Sequence, residues 1–432
     1  MNYFFNLAHH NTSGRTEALA GITTFLATMY IVVVNPAIIS QSGMPFNGVL
    51  TATVLVTAFS SIAMGLYANN PIVLAPGMGI NAFFTYTVVL GMGVRWETAL
   101  GAVFWAGVIF ILLSVFNIRT LIVKAIPIQL RYALAAGIGL FITLIGFTNA
   151  GFIVSNPATI IGRGVLDAKS LTFLAGLTLS ALLVVRKTKG ALIIGIVFTT
   201  VAATAIGRLW GNELLVVWQG LVAAPDFSTF LKLDLTGSLK FALWPVIFAL
   251  LFTDMFDSLS TFVGIAEAGD LKDDDGEPRN IRQSLIVDGI ATSISGLFGT
   301  SSATSYIESA AGIEEGGRTG LTAVVAGVLF LPLMFFSPLL SVVPAIATAP
   351  ILVLVGVFMI RPVIRIDWQN YDNAIPAFLA MFLIPVTYSI TQGIIWGFLS
   401  WTVIKVLAGK KEEITPALLV IDIFAVLALI TE

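Results

Sequence analysis

Nearly the whole chain is divided into apolar stretches long enough, or almost long enough, to cross a lipid bilayer. They fall at about 17–39, 48–67, 71–91, 97–117, 130–154, 170–186, 190–208, 238–266, 283–298, 302–313, 319–342, 344–360, 373–389 and 391–408. A bilayer-spanning helix needs about 20 predominantly apolar residues. Inside hydrocarbon, the backbone satisfies its own N–H and C=O groups only in helices or a closed barrel. The short alternating segments of a barrel are not evident. Only 11% of the residues are charged, against about 25% in soluble domains. The pattern therefore specifies an all-α polytopic membrane protein, one transport domain over 1–431 with fourteen segments, several too short to span unaided. A further apolar run at 414–430 follows Lys410, Lys411, Glu412 and Glu413; spanning, docked and interfacial placements are all open for it.

Charge orients this arrangement. With both ends in the cytoplasm, only Arg95, Arg163, Lys169, Arg208, Lys232 and Lys240 of the 22 Lys and Arg residues lie outside. That is the bias expected of short cytoplasmic loops. Residues 1–13 lack a basic n-region, so no cleaved signal peptide is expected.

Several chemistries drop out early. There are no cysteines, and the only histidines, His9 and His10, precede the first span; thiol chemistry and an intramembrane metal cage are excluded as readings. A formal net charge of −2 indicates no nucleic-acid partner. No phosphate-binding loop is present, and Gly77-x-Gly79 lacks the strand–helix setting of a nucleotide fingerprint. The acidic loop at 269–282 resembles a calcium loop at Asp273, Asp275 and Gly276, but Leu271 and Arg282 occupy two of the ligand positions. No cofactor is expected.

Two of the apolar segments are broken. PIVLAPGMGINAFFTY (71–86) is interrupted by Pro76, Gly77 and Gly79, with Asn81 at its middle. GTSSATSYIESAAGIEEGGRTG (299–320) is small, hydroxyl-rich and glycine-broken, with Glu308 near its centre. Each follows by about 50 residues a segment centre, Tyr30 in the first case and Asp254 in the second. Interrupted segments at matching places in two halves mark a transporter built from inverted repeats with a midplane site. Seven segments per half is an odd number, so the halves have opposite orientation.

The intramembrane carboxylates sharpen the location of that site. A charge near the bilayer centre costs at least about 2.5–3.5 kcal/mol, so those present usually work. Asp254 and Asp257, in FALLFTDMFDSLSTFVG, lie one helical turn apart and are candidates for proton coupling. Glu308 with the backbone of a broken segment offers a carboxylate and free amides, a surface suited to a flat polar heterocycle. An ion pair with Arg318 is its competing role. Glu314 and Glu315 lie nearer the cytoplasmic end, as solvated or gate-forming groups. Asn81 is expected to face the same cavity or to glue helices together. Phe83, Phe84 and Phe256 are the rings available for stacking on a base.

These motifs, PIVLAPGMGINAFFTY, TDMFDSLSTFVG and GTSSATSYIESAAGIEEGGRTGLTAV, resemble the signature regions of the AzgA-like adenine/guanine/hypoxanthine permeases of the nucleobase:cation symporter-2 (xanthine/uracil permease) family. The resemblance runs from about Arg15 to Lys411. It implies the UraA-type fold: fourteen segments as seven-plus-seven inverted repeats, with short antiparallel strands in segments three and ten. It implies a core at about 17–117 and 238–342, a gate at about 118–208 and 343–408 carrying homodimer contacts, and a C-terminal apolar segment at 409–432. The implied activity is proton-coupled purine uptake across the cytoplasmic membrane, with a sodium-coupled carrier and a SulP-like anion transporter as alternatives. Carried over by motif position, Asp254 and Glu308 are the main substrate- and proton-linked carboxylates. Gly79, Ile80, Asn81, Ala82 and Ile307 shape the pocket, and Asp257 is a second acid. Ser258, implied as a further substrate-binding residue, stands where uracil-type relatives often carry a histidine, which disfavours a uracil-type site.

Overall fold

The computed structural model describes residues 5–116, 127–156, 159–209, 220–273 and 276–431. Arg119 and Lys124, counted above on the cytoplasmic side, lie outside the described residues, as do Asp275 and residues 210–219. Within the first broken half run α1 (Gly14–Thr28), α2 (Ile31–Ile39), α3 (Phe46–Ala63), β1 (Leu74–Pro76), α4 (Met78–Ala82) and α5 (Trp96–Val115). Next come α6 (Ile128–Asn149), β2 (Ile153–Asn156), β3 (Ile160–Arg163), α7 (Ala168–Val185) and α8 (Ala191–Leu209). The second half holds α9 (Trp244–Gly269), α10 (Ile281–Phe298), β4 (Ala303–Ser305), α11 (Ala310–Glu314), α12 (Gly320–Phe330) and α13 (Ser337–Ser341). It closes with α14 (Ala345–Met359), α15 (Tyr371–Thr387), α16 (Ile390–Leu407) and α17 (Pro416–Thr431).

By length and composition, nine helices among the described residues are able to cross a membrane alone, and three more apolar helices are shorter. The segment centred near Tyr30 is two helices, α1 and α2, meeting at Met29 and Tyr30. The apolar stretch at 130–154 is helical only to Asn149. Its last residues enter the β2–β3 hairpin, in which Ile153 pairs with Arg163 and Asn156 with Ile160. Gly151, at φ +71°, makes the turn between the two. β-Branched Ile153, Val154, Ile160 and Ile161 suit a strand, a signal hidden by their equal fitness for an apolar helix.

The breaks at 71–91 and 299–320 become the two short strands that the resemblance implies. β1 and β4 pair antiparallel, Leu74 opposite Ser305, Ala75 opposite Thr304 and Pro76 opposite Ala303. The ladder continues at both ends: Gly77 N–H donates to Ser302 O (3.0 Å) and Tyr306 N–H to Val73 O (2.9 Å). Pro71 and Pro76 cannot donate in a helix interior, and Gly299, at φ +95°, ends α10, so both stretches leave the helix before the strand begins. All six strand residues are buried.

Packing interleaves the two halves. α10 lies along α5, and α12 lies against α1 and α3; separately, α14 and α15 pack on α6, α7 on α8 and α16 on α15. Small residues permit the close crossings. A Cβ on Gly320 would run into the carbonyl of Gly65, and one on Gly65 into the carbonyl of Gly320. The described part of the loop before α9 docks over this packing: Leu231 N–H donates to Leu297 O (2.8 Å), Thr229 Oγ1 to Phe298 O (2.9 Å), and Phe230 stacks on Phe298 with centroids 4.6 Å apart. The run after Lys411 is α17, tied to α16 by Thr402 Oγ1 donating to Asp422 Oδ2 (2.6 Å). Beside it, Lys405 is 1% exposed and pairs with Asp372 and Glu413, each at 2.7 Å.

Gly320→Val places a branched side chain against backbone that has no rotamer to yield, and is expected to cost about 1–3 kcal/mol or more. Gly14, with nothing within 4 Å of its would-be Cβ, is the control; Gly14→Ala is expected to stay within about 0.5 kcal/mol of the parent. Thermal unfolding of the detergent-solubilised protein checks both, and equal melting of the two variants contradicts the packing argument.

Candidate substrate-binding site

The strand crossing gathers side chains from four distant parts of the sequence. On α9, Ser258 is fully buried; its hydroxyl lies 2.9 Å from that of Thr304 and accepts from Ser305 N–H at 3.1 Å. Thr304 Oγ1 also donates to Asp257 Oδ2 (3.3 Å). Ser258 is thus consumed in fixing β4 to α9 and acts on the site by positioning it. Of the two acids Asp254 and Asp257, the one that α9 leaves half-buried is Asp257.

Asp254, one turn earlier, is fully buried and looks elsewhere. Thr292 of α10 donates to its Oδ2 and is also within 3.0 Å of Ala303 O, while Asp254 Oδ1 has no hydrogen-bond partner. Asp254 therefore braces the back of β4 through α10. A third acid stands behind it: Asp288 on α10, one turn before Thr292, is fully buried with both carboxylate oxygens unpartnered. The sequence reading missed Asp288. The signal was available, since LIVDGIATSISG is an apolar stretch carrying a single carboxylate and the cost of burying charge applies to it equally.

Glu308 sits in the helical turn after β4, half-buried, and accepts a 2.8 Å hydrogen bond from the hydroxyl of Tyr30. Tyr30 is 1% exposed and occupies the break between α1 and α2. The competing pairing with Arg318 is absent: that guanidinium donates to Ile313 O and Gly317 O (2.7 and 2.8 Å). The carboxylate near Arg318 is instead Glu17, which is fully buried and accepts from the backbone of Arg318 and Thr319 and from Thr322 Oγ1. It satisfies free amides at the start of α12, the favoured place for a negative charge on a helix. Glu315 pairs with Lys189 (2.6 Å), joining α11 to the turn between α7 and α8 at a partly exposed position.

Beyond the other strand, on α4, Asn81 is fully buried, and its Oδ1 accepts from the hydroxyl of Ser301. Its amide nitrogen lies 3.8 Å from Met78 Sδ. Asn81 thereby ties α4 to the entrance of β4. A Cβ on Gly79 would strike Ile138 of α6, so glycine there lets α6 approach. Ile80 and Ala82 are buried, whereas Ile307 is 45% exposed. Tyr306, also buried, donates to Pro76 O (2.6 Å) across the crossing.

A cavity of about 40 Å³ lies between α9, α6 and α16. Asp257, Thr253, Phe252 and Phe256 line it from α9, and Arg131 and Ile138 from α6. Of the three candidate stacking rings it touches Phe256; Phe83 and Phe84 are each 1% exposed and packed away. The volume holds only a few waters and falls far below the roughly 300–1,000 Å³ of a ligand pocket, so the space beside Asp257 is too small for a purine without movement of its walls. The arrangement supplies carboxylate acceptors, hydroxyls and an aromatic wall, suited to a planar molecule with N–H donors.

Comparisons with known proteins agree with the motifs. A family model described as "Permease family", that of the xanthine/uracil permeases, matches residues 15–395. The chain is 40% identical over 429 residues to the adenine permease AdeP of Escherichia coli (strain K12), covering 99% of this chain and 95% of that one. It is 40% identical over 428 residues to the guanine/hypoxanthine permease PbuO of Bacillus subtilis (strain 168), covering 97% and 98%. Among solved structures, the transmembrane domain of the cyanobacterial bicarbonate transporter BicA superposes with a TM-score of 0.65 at 17% identity, over 88% of this chain and 97% of that one. That likeness shows the shared UraA-type fold. The length of the family match and the near-complete alignment with its relatives make this chain a member of the xanthine/uracil permease family.

Proposed function

We propose that the protein takes up purine nucleobases across the cytoplasmic membrane by proton symport. The observation that carries the reading is the pair of relatives named for adenine and for guanine/hypoxanthine transport, each aligned over nearly the full chain, taken with the cluster of carboxylates at the strand crossing. The carboxylates Asp257 and Glu308 beside the crossing, against the single cation Arg131 on the cavity wall, disfavour the SulP-like anion alternative, whose substrates call for cations or helix N-termini. The protein makes and breaks no covalent bond in this reading and needs no cofactor.

In the proposed architecture, fourteen segments form a core at about 17–117 and 238–342 and a gate at about 118–208 and 343–408. The separate packing of α10 on α5 and of α14 and α15 on α6 supports this division. The basic bias of one set of loops supports cytoplasmic termini, and homodimer contacts belong to the gate. The purine lies over the β1–β4 crossing, with Glu308 and Asp257 accepting its N–H groups and Phe256 against its face. Gly79, Ile80, Ala82 and Ile307 contribute backbone and shape, while Asn81, Ser258 and Asp254 hold the strands that carry the ligands. Protonation from outside lets the acidic site accept a neutral base beside several carboxylates. Proton loss to the cytoplasm weakens binding and releases it. Transport requires this difference in affinity between the two facing states.

In cells lacking their own purine permeases, labelled hypoxanthine, guanine or adenine should accumulate saturably, with no competition from uracil, and an uncoupler should abolish it. Replacing external sodium should leave it unchanged; dependence on sodium instead would assign sodium as the coupling ion. Glu308→Gln, confirmed at the membrane, should lower uptake about 10- to 100-fold, the worth of a charge-assisted hydrogen bond. Uptake unaltered in that variant would remove Glu308 from the site.

Tyr30→Phe deletes the hydroxyl that restrains Glu308. The loss of one hydrogen bond predicts a KM raised about 2- to 10-fold with little change in maximal rate. Uptake kinetics at matched expression measure it, and an unchanged KM contradicts a positioning role for Tyr30.

A further inference from the structure

Arg131 is the charged group on the cavity wall that the purine reading leaves unused. It projects from the first turn of α6, in the proposed gate, and lines the same cavity as Asp257 on α9, in the proposed core. Its Nε is buried without a hydrogen-bond partner, and Arg131 belongs to none of the ion pairs among the described residues. The hydroxyl of Thr253, on the same wall as Asp257, is likewise buried and unpartnered. A buried guanidinium N–H is expected to find an acceptor, and Asp257 is the carboxylate on that cavity's wall.

We infer that Arg131 is the counter-charge of Asp257 in the empty carrier. A proton symporter must return without its proton, so its coupling carboxylate makes that half of the cycle ionised. Moving an uncompensated carboxylate past an apolar gate is costly. The titratable groups close enough to act on Asp257 electrostatically are Glu308, Asp254, Asp288, Tyr30 and Tyr306. They are acids and phenols, so none offers a positive charge, and Arg131 across the cavity does. A movement of α6 against α9 that brings guanidinium and carboxylate together makes them a neutral unit. In the loaded carrier the proton neutralises Asp257 instead, and Arg131, only half-buried, retains access to water. Arg131 thus acts on the return step and not on the purine.

The inference rests on the proton-symport reading, and its test separates the two. Full-length protein in proteoliposomes is assayed for net uptake of labelled hypoxanthine driven by an imposed proton gradient. It is assayed separately for exchange of labelled against unlabelled hypoxanthine at equal pH, which needs only the loaded carrier. Arg131→Gln should lower net uptake about 10-fold or more while exchange stays within about two-fold of the parent. Arg131→Lys, which keeps the charge, should retain net uptake within about three-fold. Net uptake and exchange falling together in Arg131→Gln, with Arg131→Lys equally impaired, overturns the inference, as does an unchanged net uptake in Arg131→Gln. A parent protein that neither accumulates nor exchanges any purine overturns the symport reading itself.

Discussion

The structure depends on the pairing of two three-residue strands, β1 and β4, in the interior of a membrane protein. A backbone that leaves the helix at membrane depth exposes N–H and C=O groups, each costing several kcal/mol if left unpaired. Neither broken segment is able to satisfy itself. Each satisfies the other, through the ladder from Val73–Tyr306 to Gly77–Ser302, with Ser61, Ser258 and Ser309 hydroxyls serving the amides the ladder misses. One half of the chain is thus required by the other. The side chains beside the crossing (Thr304, Glu308, Asn81) are fixed because the backbone has one way to close.

The acids divide into two tiers around that crossing. Asp254 and Asp288 lie behind β4 against α10, where they are fully buried. Asp257 and Glu308 lie in front, half-buried and adjoining the cavity or the turn beside it. Charge in the rear tier bears on the front tier through low dielectric without touching a ligand. The front tier is held by neutral hydroxyls, Thr304 on Asp257 and Tyr30 on Glu308, so these carboxylates keep capacity to accept from a substrate. Across the cavity the facing helix offers Arg131 and apolar side chains, which makes the boundary between α6 and α9 the natural place for charge to be balanced during movement.

Much of this was legible in the sequence because the bilayer enforces simple rules. Apolar length located the helices, often to within two or three residues, as at 97–117 against Trp96–Val115. Pro76, Gly77 and the run from Gly299 announced the breaks. The carboxylates stood out against an apolar background. The rest depends on tertiary contacts that no local pattern encodes. Asp254 and Asp257 share a turn, yet three residues leave them about 60° apart around the axis, enough to send one toward α10 and the other toward α6. Tyr30 and Glu308 are separated by 278 positions, and the tyrosine sits in an unremarkable apolar run. Asn81 and Ser258 read as ligands by motif position, and in the structure their polar atoms hold β4. Asp288 was missed because no family motif drew attention to it, although the cost of a buried charge applied there too.

The absence of cysteine from the chain makes the central claim, that a purine occupies the strand crossing beside Asp257 and Glu308, directly measurable. Single cysteines at Ser260, on the cavity wall, and at Ile307, 45% exposed beside Glu308, are labelled with a maleimide in the presence and absence of hypoxanthine. A cysteine at Leu166, 68% exposed and remote from the crossing in sequence and packing, serves as reference. The account predicts that hypoxanthine slows labelling at Ser260→Cys and Ile307→Cys and leaves Leu166→Cys unchanged. Equal labelling at all three positions, with and without saturating hypoxanthine, would contradict it.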